Sequence, residues 1–343
     1  MWNKKNRIYY VSIALFIFIL TLRGLARLFP SAFLSLYTNR INKWMIQFLS
    51  HLFNFFRLSI FELLVYSLIF GLIWQLVRGG KQGILRVGAS LVIIYSVFMM
   101  MWGLNYDRPS VADDFGLKVE ALSDHQLKEL YLELIGLAND ARKNVVEENG
   151  VFVVSGDEYD IQSGYDELFR VYGVFGGGYG RWKPVMSTRL LSGARIAGIY
   201  GAFTGEPNVN GEIPAVARLF TIAHEAAHQR GVAHEDQTNF VAFLACVMHP
   251  DPDFRYSGYF NALKYVREAL HEASQDLWLR EHDHLLDAGF IRDFNHLSVF
   301  WEARETWLDD LFSHTNDLFM NFHNSGEYVA VVDFLYAYFT KDA

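Results

Sequence analysis

Residues 224–228 read His224-Glu225-Ala226-Ala227-His228. Histidines four apart share one helical face, one turn apart, so both imidazoles can reach a single ion at roughly 2.0–2.1 Å. Glu225 falls on an adjacent face, close enough to touch a metal-bound water but not placed as a ligand. Zinc in such a site lowers the pKa of its water, and the carboxylate takes the proton and passes it on. A helix with solvent-facing His and Glu does not explain why Ile222, Ala223, Ala226 and Ala227 make the same stretch so apolar.

A catalytic zinc needs a third protein ligand and leaves its fourth position to water. Two neighbours compete for that place. Glu235 opens a Glu-x-x-x-Asn stretch that puts Asn239 on its own helical face, where the amide can orient a ligated carboxylate. His234 instead completes His-Glu-x-x-His-x-x-Gly-x-x-His with Gly231, the metzincin pattern. Glu235 is the favoured ligand and His234 the alternative, because Met248-His249-Pro250, which resembles a methionine turn, follows His234 too closely. Tyr256 and Tyr259, and behind them Arg255 and His249, are candidate donors to the oxyanion of peptide hydrolysis. The aromatics fit a packing role equally well.

The elements that must position these groups follow from pattern. Pro214 stands at the start of a helix that Gly231 stops, and a second helix spans Glu235 to Val247. Before them, residues 183–213 mix β-branched and aromatic residues with glycines, giving two or three short strands with turn chemistry at Gly205–Asn210. Ile196–Phe203 is a candidate edge strand for binding an extended peptide. Residues 171–180 are glycine-rich without a phosphate-loop context and read as a flexible surface loop. Ser123 opens a helix ending near Asn144, residues 150–154 read as a strand, and helices are expected over 259–288, 297–322 and 327–339.

Residues His224–Gly231 and Glu235–Phe243 resemble domain-of-unknown-function family 3810, whose members carry N-terminal spans, a His-Glu-x-x-His helix and a second Glu-Asp-x-x-Asn-Phe helix. Lys183-Pro184, Thr204-Gly205-Glu206 and Arg255–Tyr259 fit the same pattern, so the likeness covers most of the chain. It implies a zinc-peptidase-like domain of the glutamate-zincin type. Two positions depart from the pattern: Gln237-Thr238 where Glu-Ala is usual, and His234 where arginine is common. The first matters only if the third ligand belongs at 237.

Charge divides the chain. Residues 1–106 hold eleven Lys/Arg and one acid, Glu62, while 107–343 hold nineteen Lys/Arg and thirty-seven Asp/Glu. An acidic majority excludes nucleic acid as a partner, and 52% hydrophobic residues exclude disorder. Cys246, the single cysteine, excludes an internal disulfide and a cysteine zinc site. Ile8–Leu22, Leu58–Val77 and Val87–Tyr106 read as membrane spans, with an amphipathic stretch over Pro30–Arg57 fitting the bilayer interface. Six positive charges at the N-terminus and the 78–86 loop oppose five on the other side, which places the soluble part outside the cytoplasm.

The expected class is mainly α: a membrane anchor of about three transmembrane helices (1–106), then an α+β zincin-like domain (107–343) with a small sheet and the His-Glu-x-x-His helix. The expected function is a multi-pass, membrane-anchored zinc metallopeptidase that hydrolyses peptide or protein substrates with a zinc-bound water activated by Glu225. A zinc amidase acting on cell-envelope material is the alternative, as is a catalytically silent zinc-containing sensor.

Overall fold

The computed structural model describes residues 6–311, 314 and 330–341. It is mainly helical with two small sheets. Two helices are long and apolar enough to cross a membrane, α1 (Arg7–Leu28) and a 42-residue helix, Ile60–Met101. Only 11% and 17% of their most apolar windows are buried inside the molecule, unlike the core helix of a soluble protein. Between them, Pro30–Phe33, a π-helical stretch Leu34–Asn42 and α2 (Lys43–Phe53) run without interruption.

The long helix, α3 (Ile60–Met101), joins the second and third expected spans into one element. It is not straight. Gly80 takes φ 52° and ψ −136°, a backbone open in practice to glycine alone. Ser90 Oγ then donates to Gln75 Oε1 at 3.3 Å, although these residues would lie about 22 Å apart along a straight helix. α3 is therefore a hairpin that returns to the side it started from. At that end Arg23 and Arg27 of α1 hold Asp107 at 2.7 and 3.0 Å.

The acidic part begins with α4 (Asp124–Arg142), opened by a capping box between Ser123 and Gln126. A small hairpin of β1 (Glu147–Glu148) and β2 (Val151–Phe152) leads to α5 (Ile161–Tyr172). β3 (Lys183–Pro184), α6 (Thr188–Gly193), β4 (Gly198–Gly201) and β5 (Glu206–Val209) follow. They form a three-stranded sheet in the order β3-β5-β4, with β3 parallel and β4 antiparallel to β5. Then come α7 (Ala215–Gln229), α8 (Glu235–Val247), α9 (Pro252–Glu272), α10 (Ala288–Glu302) and α11 (Val331–Phe339). α7, α8 and α9 pack against one another and enclose Ile222, Ala226, Phe240, Leu244 and Phe260, each at most 1% exposed.

Several expectations change. Gly205–Asn210 is no turn: the chain turns at 202–205, and 206–209 is the central strand. Its polar side chains mimic a turn because each is consumed inside, Asn208 by two backbone carbonyls and Asn210 by Ser192 Oγ. The glycine-rich segment is not a loose surface loop. Gly180 N–H donates to Ser50 Oγ at 3.0 Å, and Gln229 donates to the Gly180 carbonyl, so the segment is a seam between α2 and α7. The helix expected over 259–288 starts earlier, at Pro252, and breaks where Ser274 takes φ 59°. Parts of the helices expected over 297–322 and 327–339 lie outside the described residues.

The anchor and the acidic part share buried polar contacts. Glu206, 2% exposed, accepts from the Phe61 N–H at 2.7 Å at the start of α3 and pairs with Lys183 Nζ. A carboxylate there also meets the positive end of the helix dipole. Lys183 Nζ donates further to the Phe53 and Leu58 carbonyls. Glu62 accepts from the Met186 and Ser187 N–H groups at 2.6 and 2.9 Å. Removing one partner of a buried pair strands the other, so Lys183→Met should lower stability by about 3–5 kcal/mol, with Lys183→Met/Glu206→Gln recovering most of the loss. Thermal unfolding of the full chain in detergent measures both.

Candidate metal centre

α7 carries the pentad. Pro214 stands immediately before its first residue, and Gly231, at φ 84°, follows its C-cap. The chain then turns through 232–234 and re-enters α8 at Glu235, which brings the start of α8 beside the middle of α7. His224 Nε2 lies 3.1 Å from Glu235 Oε2 and His228 Nε2 lies 3.6 Å from Glu235 Oε1. The ligand atoms of His224, His228 and Glu235 all fall within 4.8 Å of one another, so the three could hold a metal ion.

The rings are aimed by what binds their other nitrogens. His228 Nδ1 donates to the Val232 carbonyl at 2.7 Å. His224 Nδ1 donates to Asn239 Oδ1 at 2.8 Å. Both Nε2 lone pairs are thereby directed at the cluster, as metal-binding imidazoles need. Asn239 thus orients His224 and not the Glu235 carboxylate as expected, because residue 239, one turn into α8, faces the upper histidine. Tyr265 on α9 donates its hydroxyl to the same Asn239 oxygen at 3.1 Å. That residue was missed in the sequence, since nothing about an aromatic 26 positions downstream marks it.

Glu225 is 4% exposed, and its Oε2 is buried without a hydrogen-bond partner. β4 passes directly over it: a Cβ on Gly198 would lie 2.5 Å from Glu225 Oε1, so only glycine permits this approach. Burial pushes the Glu225 carboxyl up to about 8, with the charge of Glu235 adding to the effect. Burial opposes charge on His224, but the hydrogen bond and charge of Glu235 outweigh it and raise His224 to about 9. Burial drives His228 down to about 4. Burial likewise works against a charged Glu235, yet His228 and His224 hold it at about 2.

The remaining candidates lie elsewhere. His234 Nε2 is 3.1 Å from the Tyr106 carbonyl, and its ring stands edge-on to Tyr106. Tyr256 is fully buried and its hydroxyl donates to Asp293 at 2.6 Å, so it braces α9 and α10 and has no proton to offer an oxyanion. Tyr259 packs on Phe243, a full turn beyond Asn239. His249 Nε2 donates to the Asp160 carbonyl, and Arg255 holds the His249 and Pro250 carbonyls.

The anchor reaches the centre as well. Trp102, just past α3, donates its indole N–H to the His228 carbonyl at 2.8 Å and stands edge-on to the His228 ring at 5.6 Å. Arg108 donates to the Gly231 carbonyl. The end of the hairpin is therefore the floor under the second histidine.

A family profile described as protein of unknown function, DUF3810, matches residues 37–336, which takes in α2, α3 and every element of the centre. The chain belongs to the DUF3810 family. No curated protein matches it, and no solved structure does.

In the metal-free protein the folded state keeps the His224 and Glu225 protons over a pH range in which the unfolded chain loses them. Their stabilisation is full below the unfolded pKa of each group and is lost as pH rises through about 9 and about 8. Thermal stability should therefore fall between pH 6.5 and 9. Zinc must displace the His224 proton, so its affinity should rise about tenfold per pH unit over the same range. Chelator competition across pH measures the second effect. At pH 9, Glu235→Ala should weaken zinc at least about 100-fold and His234→Ala less than about threefold.

Proposed function

We propose that this DUF3810 protein is a membrane-anchored zinc metallopeptidase with a glutamate-zincin type of site. The observation that carries the reading is Glu225: a buried carboxylate with one unpartnered oxygen, beside two aimed histidines and a carboxylate. The donor set, two imidazoles and one carboxylate with no cysteine, is that of a catalytic and not a structural zinc. His224, His228 and Glu235 would hold the ion, which when bound supplies a Lewis acid and a water of lowered pKa.

This chain's own residues do the rest. Glu225 accepts the proton of the attacking water on its unpartnered oxygen and returns it to the leaving amine. Burial raises its proton affinity toward neutral pH, which suits both halves of that exchange. Asn239 and the Val232 carbonyl keep the imidazoles in register. Among the described residues β4 pairs only with β5, leaving one edge of the sheet for an extended peptide. Such a peptide would lie along Gly198, beside Glu225.

The reading includes a multi-pass anchor with the acidic part outside the cytoplasm. Of the five opposing positive charges on the domain side, Arg23 and Arg27 are tied to Asp107. The orientation rests on the count of six positive charges against five.

Two measurements test these proposals. Trp102 touches the centre, so the full chain in detergent is the proper sample. Wild type should bind one zinc and cleave members of a peptide library, while Glu225→Gln should keep the zinc and lose about 10²–10⁴ in rate. Zinc binding with no hydrolysis by the wild type would favour the amidase or the silent module and sink the peptidase. For topology, Cys246 is buried, so a cysteine introduced at exposed Glu281 should be the only thiol labelled from outside intact cells. Protection of that cysteine overturns the orientation.

A further inference from the structure

We propose that the substrate is a polypeptide anchored in the same bilayer and cleaved within a few residues of the membrane surface. This rests on the peptidase reading and adds to it where the peptide comes from. Each limb of the α3 hairpin, 60–79 and 81–101, has about 20 residues, the length needed to cross roughly 30 Å of hydrocarbon. Neither limb has length to spare. Phe61, in the first turn, and Phe98, in the last, therefore both sit at the hydrocarbon boundary on the domain side.

β4 rests on that boundary. A Cβ on Gly201 would lie 2.7 Å from the Phe61 ring. Phe203 meets Phe98 at 6.5 Å between rings, and Tyr200 meets Trp102 at 5.3 Å. The other end of the strand, Gly198, covers Glu225. Gly198 and Gly201 are about 10 Å apart in an extended strand, so a chain lying on β4 meets the cluster about three residues from the bilayer. A polypeptide leaving the membrane arrives there already extended, whereas a folded domain would collide with the lipid. An independent feature sets the same level: α2 exposes Trp44 (70%) and Phe48 (55%) on one stripe, and Phe55 (87%) continues it. Lys43 and Arg57 flank the stripe, as in a helix lying at the interface.

The test uses the full chain reconstituted in phospholipid vesicles. Its probe is an inert transmembrane helix carrying an unstructured tail of about 30 residues. The tail holds three copies of one sequence, chosen because the detergent-solubilised protein cleaves it as a free peptide. Mass spectrometry of the products should place cleavage in the membrane-proximal copy at least about tenfold above the distal copy. Equal cleavage of all copies, or preference for the distal one, overturns the proposal while the peptidase reading stands. Failure of the zinc-loaded protein to cleave any peptide in either setting removes the peptidase reading and this inference with it.

Discussion

A carboxylate taken out of water must be paired, protonated or used, and the fold keeps Glu225 in that position. Its oxygen has no partner, and the strand above it is glycine at the point of contact. Leaving a buried polar group unsatisfied costs about 1–3 kcal/mol, and of the neighbouring charges only His224 favours the ionised form. The neighbouring charges are arranged around the same point. Glu235 is held ionised by the two histidines, so the charge it presents to Glu225 is constant, and it pushes the Glu225 proton affinity further up. α7 is buried along most of its length, with Ile222, Ala223, Ala226 and Ala227 at most 1% exposed. That burial raises the carboxyl and also stops the imidazoles from swinging away.

The burial of α7 is shared with the anchor. Trp102 closes the floor beneath His228, and Lys183, Glu206 and Glu62 fasten the sheet to the first turn of α3. These contacts are charged or polar and largely withheld from water, where a lost partner is expensive and slippage is resisted. The composition boundary near residue 106 is thus a boundary in charge and hydropathy, while packing continues across it. The strand that passes over Glu225 and the two long apolar helices are thus joined by direct contacts.

Much of this was legible in the sequence because it depends on local periodicity. The four-residue spacing of His224 and His228, the stop at Gly231 and the helix Glu235–Val247 are properties of one or two helical turns. What escaped was long-range. Glu206, Asn208 and Asn210 look like turn residues because nothing nearby shows that Lys183, Ile199 and Ser192 will consume them. The glycines at 176–180 look loose because their partner, α2, lies more than a hundred residues earlier. Tyr256 looked like a donor until Asp293 claimed its proton. Tyr265 carried no signal of any kind.

The start of α8 shows why type alone could not assign the third ligand. Five consecutive side chains there can bind metals or donate hydrogen bonds, and the helix sends them in different directions. Glu235 faces the two histidines and Asn239, four residues on, meets His224 from the same side. Asp236 accepts from the Val331 N–H, which ties down α11. Gln237 accepts from the Val111 N–H, on the far side of α8 from the cluster. Thr238 turns back onto the His234 carbonyl. A glutamate at 237, the usual residue of the family pattern, would stand against Val111 and not near an ion. Replacing it with glutamine keeps the acceptor and removes a half-buried charge, so this departure leaves the candidate ligand set intact. The helical period sorts these side chains: of the acids at the start of α8, only the one four residues before Asn239 shares its face.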